Sequence, residues 1–95
     1  MLTKSIMVDD KEHCIFCFNP CVEEHHIFFG TSNRNKAEKY GLTIPLCNKH
    51  HTGSGDSPHK NRIIDIALKC WAQTVFETQI GTREDFRREF GKSYL

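Results

Sequence analysis

No stretch of this 95-residue chain approaches the roughly eighteen consecutive apolar residues that a membrane-spanning helix needs, so no membrane partner is expected. The first ten residues lack the apolar run of a secretory signal, and a cytoplasmic location is expected. There is no internal repeat, no low-complexity tract and no linker, so a single domain over 1–95 is expected. Neither sign of charge dominates: thirteen Lys and Arg stand against twelve Asp and Glu. Composition alone therefore says almost nothing about nucleic acid. An even set of cysteines is also missing. Five cysteines in a chain without a secretory segment fit metal binding better than a disulfide framework.

What is present is a globular composition, 38% hydrophobic and 26% charged, with a mean hydropathy of −0.53. A chain of this length buries only about 60% of its unfolded surface, so small domains of this kind usually add a staple. The staple is suggested by where the Cys and His residues fall. Cys14, Cys17, Cys21 and Cys47 lie among His13, His25, His26, His50, His51 and His59. Cys70 alone stands apart, inside an apolar helical pattern, and reads as a small core residue. Charge is also segregated. Residues 1–33 are net negative, 34–62 are net positive through Arg34, Lys36, Lys39, Lys49, Lys60 and Arg62, and 63–95 are balanced. The basic surplus thus coincides with the second half of the Cys/His cluster. It reads either as a solvated loop or as a phosphate-facing one.

The expected fold class is α+β. Residues 1–12 form an arm with weak β character at Ser5–Val8. Residues 13–59 hold a zinc knuckle (13–21), strand composition in the second half of 22–29, a loop at 30–35, and one helical turn at 36–40. A second strand at 42–46 and a helical turn bearing His50 and His51 follow. Pro45 argues for an edge strand or a strand end. Residues 60–95 are helical. Ile63, Ile64, Ala67, Leu68, Trp71, Val75 and Phe76 repeat with the helical period up to Gly81. Thr82-Arg83-Glu84-Asp85 resembles a capping box that starts a second helix, carrying Phe86 and Phe90 and ending at Gly91.

Cys14-x2-Cys17 and Cys47-x2-His50 are two chelating pairs. A two-residue gap lets both side chains of a pair reach one ion from a single turn, and two such turns complete a tetrahedral zinc site. Cys21, four positions after Cys17, could replace one ligand. His50 and His51 both lie within one turn of Cys47, so either could complete the set. His25, His26 and His51 are left over, and could bind a second cation or supply a base, since an unperturbed imidazole titrates near pH ~6.5. Neighbours on a strand face opposite sides, so His25 and His26 should have different jobs.

Glu24-His25-His26-Ile27, followed by Pro45-Leu46-Cys47-Asn48-Lys49-His50-His51, resembles the HNH nuclease family. Residues 38–43, the run His50-His51-Thr52-Gly53 with the loop ending at His59, and the ending from Thr82 to Leu95 are similar to its small bacterial and phage-encoded branch, related to the recombination-enhancement nucleases. The resemblance implies a ββα-metal core, a hairpin followed by a helix around one divalent cation, with a zinc knuckle and two C-terminal helices. It implies a DNA endonuclease with structural Zn²⁺ on Cys14, Cys17, Cys47 and His50. It places catalytic Mg²⁺ or Mn²⁺ on His25 and His51, with His59 as a further candidate ligand. His26 matches the general base. Arg34, Lys36 and Lys39 are candidates for contacts to flanking phosphates. The implied setting is a bacterial or phage-infected cell, with DNA as the partner and an oligomer or second protein adding specificity. One departure stands out. The family's middle asparagine should fall near the start of the second strand, where this chain reads Tyr40-Gly41-Leu42-Thr43. Either Thr43 or a backbone carbonyl is then expected to orient His26, or activity is expected to be reduced; Asn33 and Asn35, in the loop, are weak substitutes. The competing expectation is a zinc-stapled DNA-binding module without chemistry.

Overall fold

A computed structural model describes residues 4–53, 55 and 57–95. Two antiparallel strands, β1 (Val22–His26) and β2 (Thr43–Cys47), pair in the register Val22↔Cys47 through His26↔Thr43. Helix α1 (Thr31–Tyr40) lies in the connection between them, and a short π-helical turn (Lys49–Gly53) follows β2. Helices α2 (Arg62–Gln79) and α3 (Arg83–Phe90) complete the chain. Among the described residues no helix is long and apolar enough to cross a membrane.

The hairpin is expected, but its connection is not a loop. Thr31–Asn35 is polar and contains two Asn, which favours loop composition, yet it forms the first half of α1. Docking overrides the local preference. Lys36 Nζ donates to the Glu89 carbonyl oxygen at 2.5 Å, Tyr40 Oη donates to Glu89 Oε1 at 2.6 Å, and Ala37 is fully buried. Gly41 ends the helix with φ 73°, and a Cβ there would meet the Lys4 carbonyl oxygen at 3.0 Å. Only glycine takes that backbone conformation so close to another chain segment without strain.

β1 ends at His26, earlier than its composition suggests. Ile27 and Phe28 lie beyond it, buried in the core. β2 is buried along its whole length, flanked by β1 on one edge and by the N-terminal segment on the other. Ile15 N–H donates to the Pro45 carbonyl oxygen at 3.2 Å and Ser5 Oγ donates to the Thr43 carbonyl oxygen at 2.7 Å. Each strand of a two-stranded sheet is an edge, so Pro45 is tolerated in the middle of β2. Ser5–Val8 is an arm, not a strand, tied by Ile6 N–H to the Gly41 carbonyl oxygen at 2.9 Å.

The core sits between the hairpin and the helices. Phe28 packs against Phe86 and Phe90 with ring centroids 5.3 and 4.5 Å away. The stripe that α2 buries is Leu68, Ala72 and Phe76, while Ile63 and Ala67, expected on the apolar face, are exposed. The stripe carries Gln73 as well. Its amide donates to Glu77 and Ser93 and its oxygen accepts from Tyr94 N–H, so the buried polar group is fully engaged. Asn61 caps α2, accepting from Ile63 and Ile64 N–H. The Thr82/Asp85 capping box starts α3 as expected, and Gly91 ends it.

Candidate metal centres

Two separate groups of ligand side chains flank the hairpin. The first joins the knuckle to the end of β2. Cys14 and Cys17 come from the tight turn before β1, Cys47 is the last residue of β2, and His50 sits in the π-helical turn. Their ligand atoms all lie within 4.8 Å of one another. Cys17 Sγ is 3.6 Å from Cys47 Sγ, and His50 Nδ1 is 3.2 Å from Cys47 Sγ and 3.7 Å from Cys14 Sγ. A tetrahedral ion at metal–sulfur and metal–nitrogen distances of about 2.3 and 2.05 Å needs edges of about 3.8 and 3.5 Å. The group can hold one metal ion with little movement.

One thiol of the group, Cys14, is prepared for it. Burial works against the Cys14 thiolate, but backbone hydrogen bonds from Cys47, Phe16 and Cys17 outweigh burial and bring its pKa down to about 6. A thiolate is the form that ligates metal. Cys21 is exposed and lies outside the group, its backbone N–H donating to Asn19 Oδ1. Phe18, just after Cys17, has φ 63°, a left-handed conformation in which its exposed ring stacks on His13 at 4.0 Å.

The second group is His25, His51 and His59, again with nitrogens within 4.8 Å of one another. Strand alternation does what it should: His25 turns to this group and His26 does not. The three ring centroids are 5.0 to 5.2 Å apart. His51 Nε2 and His59 Nε2 approach to 3.3 Å, against about 3.4 Å for two nitrogens on one tetrahedral ion. His51 Nδ1 is 2.8 Å from Glu23 Oε1. A proton shared there leaves Nε2 as the free lone pair, the carboxylate–histidine arrangement that orients metal ligands. His25 is fully buried, and neither of its ring nitrogens has a hydrogen-bond partner. Burial, then repulsion from His51 and His59, pushes its pKa down to about 3. His59 is lowered by the same causes in the same order, burial and then His51. Neutral imidazole is the ligating form, and a buried ring with two idle nitrogens is costly unless something uses them.

His26 faces a third environment. Its Nε2 is 2.8 Å from Glu38 Oε1 and 3.5 Å from Glu24 Oε1. Neither Thr43 nor a backbone carbonyl is its Nε2 partner. Thr43 Oγ1 instead accepts from Lys11 Nζ at 3.0 Å. One pocket is lined by Glu24, His25, His26, Phe29, Arg34, His51 and His59. Of the three candidate basic residues, Arg34 reaches this pocket. Lys36 is spent on Glu89, and Lys39 lies over the Tyr40 ring at 5.1 Å.

Sequence reasoning brings His25, His51 and His59 together and places His50 with the cysteines. It passes over the carboxylates. Glu23 and Glu24 carry a usable signal: each lies two residues before a histidine of β1, hence on that histidine's face. Glu38 gives no local signal, because it reaches His26 across twelve residues of chain. No family model matches the chain, and comparison with curated proteins and with solved structures returns no match.

Proposed function

We propose that this chain is a metal-dependent DNA endonuclease of the HNH type, hydrolysing phosphodiester bonds, with structural zinc on Cys14, Cys17, Cys47 and His50. One juxtaposition carries the reading. Three histidines with converging nitrogens open onto the same pocket as a fourth histidine held by a carboxylate. A zinc staple needs only the four-ligand set of Cys14, Cys17, Cys47 and His50, so the three-histidine cluster calls for another purpose.

His25, His51 and His59 would hold the catalytic cation. When bound, it supplies Lewis-acid stabilisation of charge on the phosphate. Three imidazoles suit a first-row transition ion such as Mn²⁺ better than Mg²⁺, which prefers oxygen ligands. His26 does the proton chemistry. With Nε2–H directed at Glu38, Nδ1 of the neutral ring is an acceptor. It takes a proton from water as the water oxygen bonds to phosphorus. The phosphorus–O3′ bond breaks, and the leaving oxygen takes a proton from solvent. Arg34, at the mouth of the pocket, positions a non-bridging phosphate oxygen by charge and hydrogen bonding. The chain offers little surface for reading a long site, so a second copy or another protein would supply specificity. The working compartment would be the cytoplasm of a bacterial or phage-infected cell.

The test is nicking of supercoiled plasmid by the purified protein with Mn²⁺, Mg²⁺ or Zn²⁺ added. The expected result is nicking with a transition ion and its loss in His26→Ala, by about 10²- to 10⁴-fold, without rescue by excess metal. DNA retention with no cleavage under any ion would overturn the nuclease reading in favour of a zinc-stapled binding module.

A further inference from the structure

The general base of the proposed reaction has a partner that its local sequence does not provide. Resting on the nuclease reading, we propose that Glu38 is a positioning residue that fixes the tautomer and orientation of His26. It fills with a carboxylate the role left open by Tyr40-Gly41-Leu42-Thr43.

Three observations converge on it. Glu38 Oε1 is the nearer of two carboxylates to His26 Nε2, at 2.8 Å against 3.5 Å for Glu24. Glu24 is also engaged elsewhere, with Lys11 Nζ 3.3 Å from its Oε2. Next, Glu38 stands in the last turn of α1, where the helix dipole disfavours an anion. A residue set against its own helix calls for another use. Last, its backbone is bonded into the short link that leads from α1 to β2. Gly41 N–H donates to the Glu38 carbonyl oxygen at 3.2 Å, and Leu42 N–H to that of Ala37 at 2.8 Å. Immediately after Leu42, Thr43 pairs with His26 across the sheet. Glu38 and His26 thus sit at two ends of one short, closed framework, so the distance between them does not depend on a floppy loop.

The chemistry follows from burial. The His26 side chain is 9% exposed, whereas that of Glu38 is 43% exposed. The carboxylate stays partly solvated, while the ring it holds is largely shielded from water. As His26 takes a proton, the adjacent anion stabilises the imidazolium that forms. Glu24, His26 and Glu38 also lie close enough to be read as a cation site. The Lys11 ammonium already supplies positive charge beside Glu24, which favours the positioning role over a third metal.

The test combines kinetics with a readout that needs no activity. In wild type, long-range ¹H–¹⁵N spectra should show His26 as the Nε2–H tautomer. In Glu38→Ala that signature should give way to mixed tautomers, while Glu38→Gln, which retains an acceptor oxygen, should keep part of it. For plasmid nicking, Glu38→Ala should lower kcat about 10- to 100-fold with KM and metal content unchanged, and Glu38→Gln should recover part of the loss. In a His26→Ala background the same substitution should change nothing further. An unchanged tautomer, a further loss on top of His26→Ala, or release of a bound ion from Glu38→Ala would each overturn the proposal. A wild-type chain that cuts nothing would overturn the nuclease reading and the catalytic half of this one. The spectra would still decide whether Glu38 holds the ring.

Discussion

Two adjacent histidines in the turn after β2 should fail in different ways when removed. His50 lies with the three cysteines, its Nδ1 3.2 Å from Cys47 Sγ, whereas His51 lies with His25 and His59. His50→Ala removes one of four ligands from the group that joins the knuckle to the hairpin. Structural zinc binding contributes about 10–16 kcal/mol to small domains, so an average one of four ligands accounts for about 2.5–4 kcal/mol. For a domain of this size each kcal/mol shifts Tm by about 4–8 °C. His50→Ala should therefore lower Tm by at least about 10 °C. The knuckle keeps its bond from Ile15 N–H to the Pro45 carbonyl oxygen at 3.2 Å and the packing of Cys14 on the core, so the domain should loosen there without the whole chain coming apart at once. His51→Ala should move Tm far less, and should abolish nicking in a way that added Mn²⁺ partly restores. The assay pairs calorimetric melting with metal release measured by a chromogenic chelator, on metal-loaded protein. Wild type should release one tightly held zinc, and His50→Ala substantially less. Melting curves that coincide for wild type and His50→Ala, with zinc content unchanged, would refute the assignment of the group. A large drop for His51→Ala alone would exchange the two roles.

Two further outcomes are expected. The His25 imidazole has a pKa of about 3 in the folded chain, against about 6.5 unfolded, so the unfolded chain binds more protons between these values; the stability involved is complete above pH ~6.5 and lost as pH falls towards 3. Urea titrations of apo-protein across that window should show a steeper acid loss in wild type than in His25→Phe, and parallel curves would count against burial as the cause. Phe18→Gly should be more stable than Phe18→Ala by about 1 kcal/mol, because both lose the ring stacked on His13 but only glycine relieves the left-handed backbone at φ 63°; equal urea midpoints would show that the knuckle can reshape itself at no cost.

The grouping of the candidate ligands was legible in the sequence because metal chemistry imposes spacing. Cys14-x2-Cys17 and Cys47-x2-His50 are short-range constraints that survive any tertiary arrangement, and strand alternation separates His25 from His26. The capping box at Thr82 and Asp85 is equally local. What sequence reasoning misplaced depends on contacts between distant segments. The polar run Thr31–Asn35 becomes helical because Lys36 and Tyr40 dock on Glu89. Ile63 keeps the helical period but faces solvent, since no other element covers that side of the first turn of α2 among the described residues. Glu38 was invisible for the same reason: its importance is a distance, and distances across a helix leave no trace in spacing.

The turn Lys49–Gly53 places consecutive residues in two different centres. One peptide bond therefore separates the cysteine group from the histidine group, with no hinge between them. This gives assembly an order. With an ion on the thiolates, His50 would pin the turn and help set the geometry of the histidine group. An ion captured by the thiolates would thus come first, and the second centre would form on a backbone already set by the first. A chain starved of the thiol-bound ion would lose both centres together, whatever the supply of the other metal.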